Sequence, residues 1–327
     1  MASPLPRIRT ISFPDQQLLD AVAPLPPGLH AGIWNVVSEP QGVPLEEIEA
    51  AVLPYGLDAG AWLNELRRAP RLRLVQTQST GFDAVPEAVG PNVAIASAAG
   101  VHAASTAELA IALMLASLRG IDIAVRDQET ATWRPTRRRS LADRKVLLVG
   151  AGGIGTEIAQ RLEPFEVELT RVASTARDDD GGHVHGASEL LELAPDHDVI
   201  VIITPLSEGT RGLVGTELLA ALPDGALVVN VGRGGVIDSD ALTREVVSGR
   251  LFAALDVFDP EPIPADHPLW KAPNALITPH LGGDTTAFPP RIVKLLKRQI
   301  EALAAGERPA NLVQPGPYGP DEVIIGV

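Results

Sequence analysis

Lys145–Gly155, which reads KVLLVGAGGIG, decides the fold of this chain. A short apolar run ends abruptly in Gly150-x-Gly152-x-x-Gly155, and the following residues have helical spacing. Gly150 allows a tight turn, Gly152 lets the backbone approach a ligand, and Gly155 lets helix and strand pack closely. The stretch predicts a buried strand turning into a helix whose first N–H groups favour a pyrophosphate. A plain strand–helix turn is the alternative, because glycine-rich turns are common.

The composition limits the classes of protein to which the chain can belong. Its 327 residues suit two domains of about 100–200 residues each. The net charge of −14 argues against nucleic acid or an anionic membrane surface as a partner. The absence of cysteine excludes disulfides, thiolate zinc sites and cysteine nucleophiles. The start has no signal-peptide core, and no stretch reaches the roughly 18 apolar residues of a membrane span, so we expect a cytoplasmic protein.

Strand-like and helical patterns alternate along both halves of the chain. Such alternation predicts an α/β fold of doubly wound parallel sheets. The predicted strands flanking the glycine loop are Ile8–Phe13, Ile33–Val37, Ala50–Leu53, Leu72–Gln76, Val93–Ser97, Val167–Ala173, Val199–Ile203, Ala226–Val231, Leu251–Val257 and Ala275–Thr278. The predicted helices are Ala59–Ala69, Ser105–Leu118, Ala187–Leu193, Gly215–Leu222, Ser239–Ser248 and Asp284–Ala305, the last interrupted early by Pro289 and Pro290.

The helix Ser105–Leu118 has the strongest pattern. Ser105-x-x-Glu108 matches a capping box, so we interpret Glu108 as a cap rather than a functional acid. The run Leu109–Ala116 is apolar all round and must be covered on every side. We therefore expect a helix between two domains that also contributes to a homodimer interface.

Three chemically active residues, Arg233, Glu261 and His280, follow three successive predicted strands, at the sheet edge where such folds bind ligands. An arginine can hold a carboxylate by paired hydrogen bonds and polarise a carbonyl. A histidine can exchange the proton that accompanies hydride transfer, and a hydrogen-bonded glutamate raises the histidine pKa. Each alone fits a surface charge, a solvated acid or a core histidine. Together, downstream of the glycine loop, they favour a catalytic set.

With these motifs in place, the chain resembles the D-isomer-specific 2-hydroxyacid dehydrogenases, which include glyoxylate/hydroxypyruvate reductases. The resemblance covers nearly the whole chain. The matching stretches, in the family's order, are Gln78–Asp83, Ala99–Glu108, Ile203–Leu206 with Thr210 and Arg211, Asn230–Gly234, Leu255–Phe258 with Glu261 and Pro262, Thr278–His280 and Asn311–Val313.

The resemblance implies two Rossmann-like or flavodoxin-like domains with the active site in the cleft between them. Residues 1–98 and 285–327 would form the substrate-binding domain, and residues 99–284 the dinucleotide-binding domain. The implied reaction is hydride transfer between NAD(P)H and a small 2-keto acid, giving the (R)-2-hydroxy acid. The resemblance also suggests a homodimer.

The resemblance also implies roles for individual residues. Arg233 would bind the substrate carboxylate and carbonyl, His280 would be the acid–base, and Glu261 would orient and charge the histidine. Backbone N–H groups around Thr80 and Gly81 would hold the carboxylate. The residues implied to bind the cofactor are Gly150, Gly152, Gly153, Ile154, Gly155, Thr204, Pro205, Val231 and Asp256, the last facing the nicotinamide end.

The second strand of the dinucleotide-binding half suggests which cofactor is used. NAD-specific folds carry an acidic residue about 20 residues after the glycines. Ala173 occupies that position, and the residues just beyond it that would contact the cofactor are Ser174, Thr175 and Arg177. Without the acid a 2′-phosphate is not repelled, and Arg177 can pair with it. The sequence predicts NADP(H) in preference to NAD; residues 178–180, three aspartates, either lie in the pocket or form a solvated loop.

Other functions remain open from the sequence. A phosphite- or formate-type dehydrogenase is one alternative, although the formate enzymes carry glutamine where Glu261 stands. A nucleotide-sensing co-repressor of the same fold is another. His183 and His185 have a spacing that can hold a metal, but they lie in a predicted loop without a third ligand, so no metal site is predicted. The substrate side chain depends on loops around Phe82, Trp270 and Phe288.

Overall fold

The computed structural model describes residues 5–56 and 64–319, which form two compact units. The first unit runs to His102 and resumes at Thr286, and the second is Ala103–Thr285. Each unit is built around a mainly parallel sheet, which confirms the α/β class. The predicted boundaries near residues 98 and 285, and the binding role given to each domain, stay predictions.

The sheet of the first unit has six strands. They are β1 (Thr10–Phe13), β2 (His30–Ile33), β3 (Ala50–Val52), β4 (Leu74–Gln76), β5 (Ala94–Ala96) and β14 (Leu312–Gln314). Their order is β14-β5-β4-β3-β1-β2, and only β14 is antiparallel to its neighbour. The chain reverses its direction across the sheet between β1 and β3, which is where doubly wound folds bind ligands.

Both faces of this sheet are covered because successive strand residues point in opposite directions. Its helices are α1 (Gln16–Val22), α2 (Val85–Val89) and α9 (Phe288–Ala305). Leu74 packs in an apolar cluster with Ile292 and Leu296 of α9, whereas its neighbour Val75 packs with Trp34 in a cluster on the opposite face.

The sheet of the second unit has eight strands. They are β6 (Lys145–Val149), β7 (Glu168–Ala173), β8 (Arg177–Asp179), β9 (Gly182–Gly186), β10 (Val199–Ile202), β11 (Leu227–Asn230), β12 (Phe252–Leu255) and β13 (Ala275–Ile277). Their order is β13-β12-β11-β10-β6-β7-β9-β8, with only β8 antiparallel. The switch point lies between β6 and β10, so ligands are expected at the carboxyl ends of these strands.

The described residues of the second unit contain six α-helices. They are α3 (Ala103–Arg119), α4 (Ile121–Glu129), α5 (Gly153–Leu162), α6 (Leu190–Leu193), α7 (Thr216–Ala221) and α8 (Ser239–Val247). Leu148 packs in a cluster with Met114 of α3 and Ile158 of α5, whereas Leu147 packs with Leu218 of α7 on the other face. The apolar helix α3 is thus covered in large part by its own unit.

Two helix starts differ from the sequence prediction. The capping box at Ser105 is wrong, because α3 already begins at Ala103 and the Ser105 hydroxyl instead lies 2.9 Å from Thr285 Oγ1. The last helix begins at Phe288 rather than Asp284. Its two prolines therefore occupy the first turn, where backbone N–H groups have no intrahelical acceptor. The N–H groups that proline lacks are not needed there, so the prolines do not interrupt the helix.

Other predicted elements moved or lie outside the described residues. The predicted strand Ile33–Val37 is wrong: β2 ends at Ile33, and Val36 has a φ of 59°, which an extended strand does not allow. The first part of the predicted helix Ala59–Ala69 lies outside the described residues, and its second part is a short 3₁₀ helix, Glu65–Arg68. Among the described helices, none combines the length and apolarity needed to cross a bilayer.

Candidate active site

The glycine loop between β6 and α5 is built for close approach. Gly150 has a φ of 120°, a conformation that favours glycine. A Cβ on Gly155 would lie 1.9 Å from the Gly150 carbonyl oxygen, so any side chain there would force the backbone to move. A Cβ on Gly153 would meet nothing within 4 Å, and no side chain caps α5 at Gly152. The helix start therefore offers open space and uncapped N–H groups, which suits a pyrophosphate next to Ile154.

A buried hydroxyl lies at the same edge of the sheet. Thr204, two residues beyond β10, has a buried Oγ1 without a hydrogen-bond partner, although buried polar atoms are nearly always paired. The ends of β10 and β11 approach closely here, because a Cβ on Gly232 would lie 3.0 Å from the Thr204 carbonyl oxygen. Pro205 and the buried Val231 flank this point. An unpaired hydroxyl at the switch point fits a polar ligand such as a dinucleotide.

The segment after β7 is a β-hairpin, so the loop predicted around His183 and His185 is wrong. Ser174 and Thr175 lead from β7 into β8, which begins at Arg177. Arg177 Nη2 donates to the carbonyl oxygen of Ala151, 3.2 Å away in the glycine loop. The guanidinium is thereby positioned between the end of β7 and the glycine-rich turn.

The aspartates of the hairpin are engaged with other partners. Asp178 Oδ1 lies 2.8 Å from His183 Nδ1, and Asp179 accepts two hydrogen bonds from Arg171 at 2.7 and 3.0 Å. These hydrogen bonds hold the pKa of the Asp179 carboxyl below its ordinary value. Two of the three acids that argued against a 2′-phosphate therefore have partners within the hairpin and on β7.

Arg233 is presented by a tightly packed turn at the end of β11. Asn230 Nδ2 donates to the Arg233 carbonyl oxygen, and Asn230 Oδ1 accepts from the Gly232 N–H, each at 3.0 Å. A Cβ on Gly234 would lie 1.9 Å from the carbonyl carbon of Phe258, so only glycine lets this turn pack against the segment after β12. The half-buried guanidinium is thus brought beside the loop that carries Glu261.

Glu261 and His280 form a hydrogen-bonded pair. Glu261 Oε2 lies 2.8 Å from His280 Nδ1, and Glu261 Oε1 accepts from the Phe258 N–H at 2.7 Å. His280 has a φ of 54°, an unfavourable backbone conformation for a residue with a side chain, of the kind that clusters at active sites. The structure therefore brings two of the three predicted catalytic side chains into direct contact.

Electrostatics couple this pair to Arg233. The hydrogen bond that His280 donates to Glu261 raises the pKa of His280, against the opposing effects of burial and of the Arg233 charge. Burial disfavours ionisation of Glu261, but the hydrogen bonds from His280 and Phe258 outweigh it, so its pKa lies below the ordinary value. The pair therefore favours an imidazolium beside a carboxylate, with a guanidinium close enough to influence both.

Asp256, predicted to face the nicotinamide, organises the loop that carries His280. It is buried, and its carboxylate accepts from Thr278 Oγ1 at 2.6 Å and from the N–H groups of Leu281 and Gly282 at 2.8 and 2.9 Å. Its carbonyl oxygen accepts from the His280 N–H at 2.9 Å. These four bonds explain how the strained conformation of His280 persists. Contact with a nicotinamide stays a prediction.

Thr80 and Gly81 lie in the first unit, in the loop after β4. Ser79 Oγ donates to the Gly81 carbonyl oxygen at 2.6 Å, and Thr80 Oγ1 is buried without a partner. Within the part of the chain that the structure describes, the N–H groups of Thr80 and Gly81 donate to no protein acceptor. The predicted carboxylate-binding loop thus has backbone N–H donors available for a ligand.

No cluster of three or more histidine, aspartate or glutamate side chains that could hold a metal occurs among the described residues. His183 and His185 each pair with a carboxylate instead, His185 Nδ1 lying 2.7 Å from Glu189 Oε2. Sequence reasoning missed the role of Asn230 in shaping the arginine turn. The available signal was a polar residue ending an otherwise apolar, buried strand.

Comparison with known proteins places these features in one family. The family model described as "D-isomer specific 2-hydroxyacid dehydrogenase, NAD binding domain" matches residues 111–282. Glyoxylate reductase of Thermofilum pendens is 32% identical over 256 residues, covering 75% of this chain and 76% of the relative. Formate dehydrogenase of Arabidopsis thaliana is also 32% identical, over 254 residues that cover 74% of this chain and 66% of the relative.

A solved structure extends the similarity to nearly the full chain. It is that of a D-isomer specific 2-hydroxyacid dehydrogenase from Xanthobacter autotrophicus Py2 in complex with NADPH and MES. The match has a TM-score of 0.80 at 28% sequence identity, and covers 96% of this chain and 99% of that one. The similarity therefore includes both units.

Proposed function

The chain belongs to the D-isomer-specific 2-hydroxyacid dehydrogenase family and is an NAD(P)-dependent enzyme, and from that premise we propose that it reduces a small 2-keto acid to the (R)-2-hydroxy acid with His280 as the acid–base. The observation that carries the proposal is the 2.8 Å contact between Glu261 Oε2 and His280 Nδ1. We assign substrate binding to the first unit and dinucleotide binding to the second.

The proposed mechanism is built on the two nitrogens of His280. Glu261 engages Nδ1, so Nε2 is the nitrogen that faces the reaction, and the raised pKa favours its protonated form. Arg233 pairs with the substrate carboxylate and polarises the adjacent carbonyl. When bound, the reduced nicotinamide supplies the hydride. His280 Nε2 gives its proton to the carbonyl oxygen, and in the oxidative direction neutral His280 takes the hydroxyl proton back.

We further propose that the preferred cofactor is NADP(H). Ala173 stands where an acidic residue would repel a 2′-phosphate. Arg177 is held beside the glycine loop by its hydrogen bond to the Ala151 carbonyl oxygen. The neighbouring Asp178 and Asp179 are paired with His183 and Arg171. The guanidinium is the charge of this hairpin best placed for a 2′-phosphate.

Replacing Arg177 with alanine is expected to raise the KM for NADPH by about tenfold or more and to leave the KM for NADH nearly unchanged, because a charge-assisted phosphate contact contributes about 1.5–3 kcal/mol. Steady-state kinetics with both cofactors checks this. The matched control is Arg244→Ala on α8, which should affect neither cofactor. A wild-type preference for NADH, or equal losses with both cofactors, would contradict the proposal.

The function itself is tested by a panel of glyoxylate, hydroxypyruvate, pyruvate and bulkier 2-keto acids with NADPH. With at least one of them, the absorbance of NADPH is expected to fall at a rate typical of a metabolic enzyme. Oxidation of formate or phosphite in the absence of turnover on the panel would favour the alternative dehydrogenases. Tight cofactor binding without turnover on any of these compounds would favour a nucleotide sensor.

We also propose a homodimer, formed through an exposed apolar patch on the second unit. Ile121 and Val125 lie one turn apart on α4 and are 51% and 54% exposed, and Trp133 is 93% exposed. Trp133 is flanked by Thr132 and Arg134, both of which are hydrogen-bonded to Asp127 of α4. Large apolar side chains that are exposed in this way are typical of an interface, and the family resemblance suggests a second copy as the partner. The cytoplasmic location stays a prediction.

The variant Val125→Glu/Trp133→Ala is expected to convert the dimer to a monomer, because it places a charge in the patch and removes its largest side chain. Light scattering at micromolar concentration measures the change in mass. Trp270→Ala, which removes a half-exposed tryptophan elsewhere in the same unit, is the control and should leave the mass unchanged. A monomeric wild-type protein, or a double variant that stays dimeric, would rule out this interface.

A further inference from the structure

The proposed carboxylate loop, Gln78–Gly81, is held by a histidine that has no part in the proposed mechanism. His102 is 6% exposed and ends the N-terminal segment of the first unit. Its Nε2 lies 2.8 Å from the carbonyl oxygen of Gln78. Because a carbonyl oxygen only accepts hydrogen bonds, Nε2 must carry the hydrogen. His102 is therefore a fixed donor to the first residue of the loop.

The plane of the His102 ring is set by aromatic stacking. Its centroid lies 5.0 Å from that of Phe288 and 5.6 Å from that of Tyr55, with interplanar angles of 15° and 17°. The Tyr55 and Phe288 rings also stack on each other, with centroids 4.4 Å apart. Three nearly parallel rings from distant parts of the first unit limit rotation of the imidazole. The N–H of Nε2 is thereby aimed at one carbonyl.

The loop turns its carbonyl groups toward the protein. The Ser79 carbonyl oxygen accepts from the Ala98 N–H at 2.9 Å and from Thr77 Oγ1 at 2.8 Å, and the Gly81 carbonyl oxygen accepts from Ser79 Oγ at 2.6 Å. With Gln78 bonded to His102, three of the four loop carbonyls are occupied. The loop leaves a set of donors unpaired, namely the Thr80 hydroxyl and the N–H groups of Thr80 and Gly81. Successive free N–H groups form an anion-binding concavity.

We propose that His102 is a positioning residue for substrate binding. By holding the Gln78 carbonyl, it fixes the peptide planes of the next three residues, so that the N–H groups of Thr80 and Gly81 are presented to the substrate carboxylate. The proposal rests on the proposed reduction of 2-keto acids. It predicts an effect on carboxylate binding, while proton transfer at His280 and cofactor binding at the glycine loop stay intact.

The test replaces His102 with leucine, which has a similar volume but no donor, and with glutamine, whose amide N–H can reach the same carbonyl. We expect His102→Leu to raise the KM for the keto acid about tenfold, with kcat and the KM for NADPH within about threefold of wild type. His102→Gln should recover most of the loss. His30→Leu makes the same change at an exposed position of the first unit and should have no effect.

A direct binding measurement separates this proposal from the proposed function. Calorimetric titration of the NADPH-bound protein with oxamate, a non-reducible 2-oxo carboxylate, should give a Kd about tenfold weaker in His102→Leu than in wild type. That result supports the role of His102 even if no keto acid is turned over. Three results would overturn the proposal. They are equal oxamate affinity in the two proteins, no oxamate binding by wild type, and losses of kcat and of the thermal midpoint that are the same in His102→Leu and His102→Gln.

Discussion

Replacing His280 with glutamine is expected to lower kcat/KM for keto-acid reduction by about 10²–10⁴-fold. The glutamine amide can still donate to Glu261, but it carries no proton that it can release to the carbonyl oxygen. NADPH affinity should be unchanged, because the groups proposed to hold the dinucleotide, the glycine loop and Arg177, do not include His280. Steady-state kinetics combined with fluorescence titration of NADPH separates the two effects.

The pH profile identifies the proton donor more specifically. In the proposed mechanism reduction requires protonated His280, so the rate should fall as the pH rises through the pKa of His280, which the hydrogen bond to Glu261 raises above its ordinary value. Oxidation requires neutral His280 and should rise through the same pKa. Glu261→Gln removes the largest cause of the shift, so both transitions should move to lower pH. Profiles that do not move in Glu261→Gln, or a His280→Gln variant within tenfold of wild type, would contradict the assignment.

Replacing Arg233 with alanine is expected to lower kcat/KM by about 10²–10³-fold, the usual effect of removing a donor that stabilises charge developing on a substrate oxygen. Arg233 is proposed to bind both the carboxylate and the carbonyl, so kcat should fall and the KM for the keto acid should rise. Steady-state kinetics across the range of keto-acid concentrations measures both.

Arg233→Lys provides the sharper comparison. Lysine keeps the charge but not the planar fork of donors, so it should restore less than a tenth of the lost activity. Arg244→Ala, which removes another arginine of the same unit, on α8, is the control. Near-complete rescue by lysine would mean that Arg233 acts only through its charge, and an active Arg233→Ala would remove it from the mechanism.

The parts of the site predicted from the sequence are those that depend on local pattern. An apolar run that ends in spaced glycines specifies both the strand–helix turn and the open space at the start of the helix. Because the carboxyl ends of parallel strands meet at one edge, Glu261 and His280 were expected to meet there, and they do, 2.8 Å apart. No such rule predicted that the Asp256 carboxylate accepts hydrogen bonds from the loop that carries His280.

The hairpin that carries Arg177 shows why the rest was missed. Its strands contain mainly aspartate, glycine and histidine, with Val184 as the one buried residue that is apolar, so hydropathy indicates a loop. The segment joins the sheet through the pairing of β9 with β7, and the ion pair between Arg171 and Asp179 links separate strands. The start of α3 was misplaced for a related reason, because the Ser105 hydroxyl bonds to Thr285, far away in sequence.

The most direct test of the proposed reaction is the fate of the hydride. The protein would be incubated with hydroxypyruvate, or the best keto acid of the panel, and NADPH carrying deuterium at the transferable C4 position. The product should be the (R)-2-hydroxy acid with one deuterium at C2, and its formation should be lost in Arg233→Ala and His280→Gln. An unlabelled product, the (S)-enantiomer, or a wild-type protein that binds NADPH without forming product would contradict the proposal.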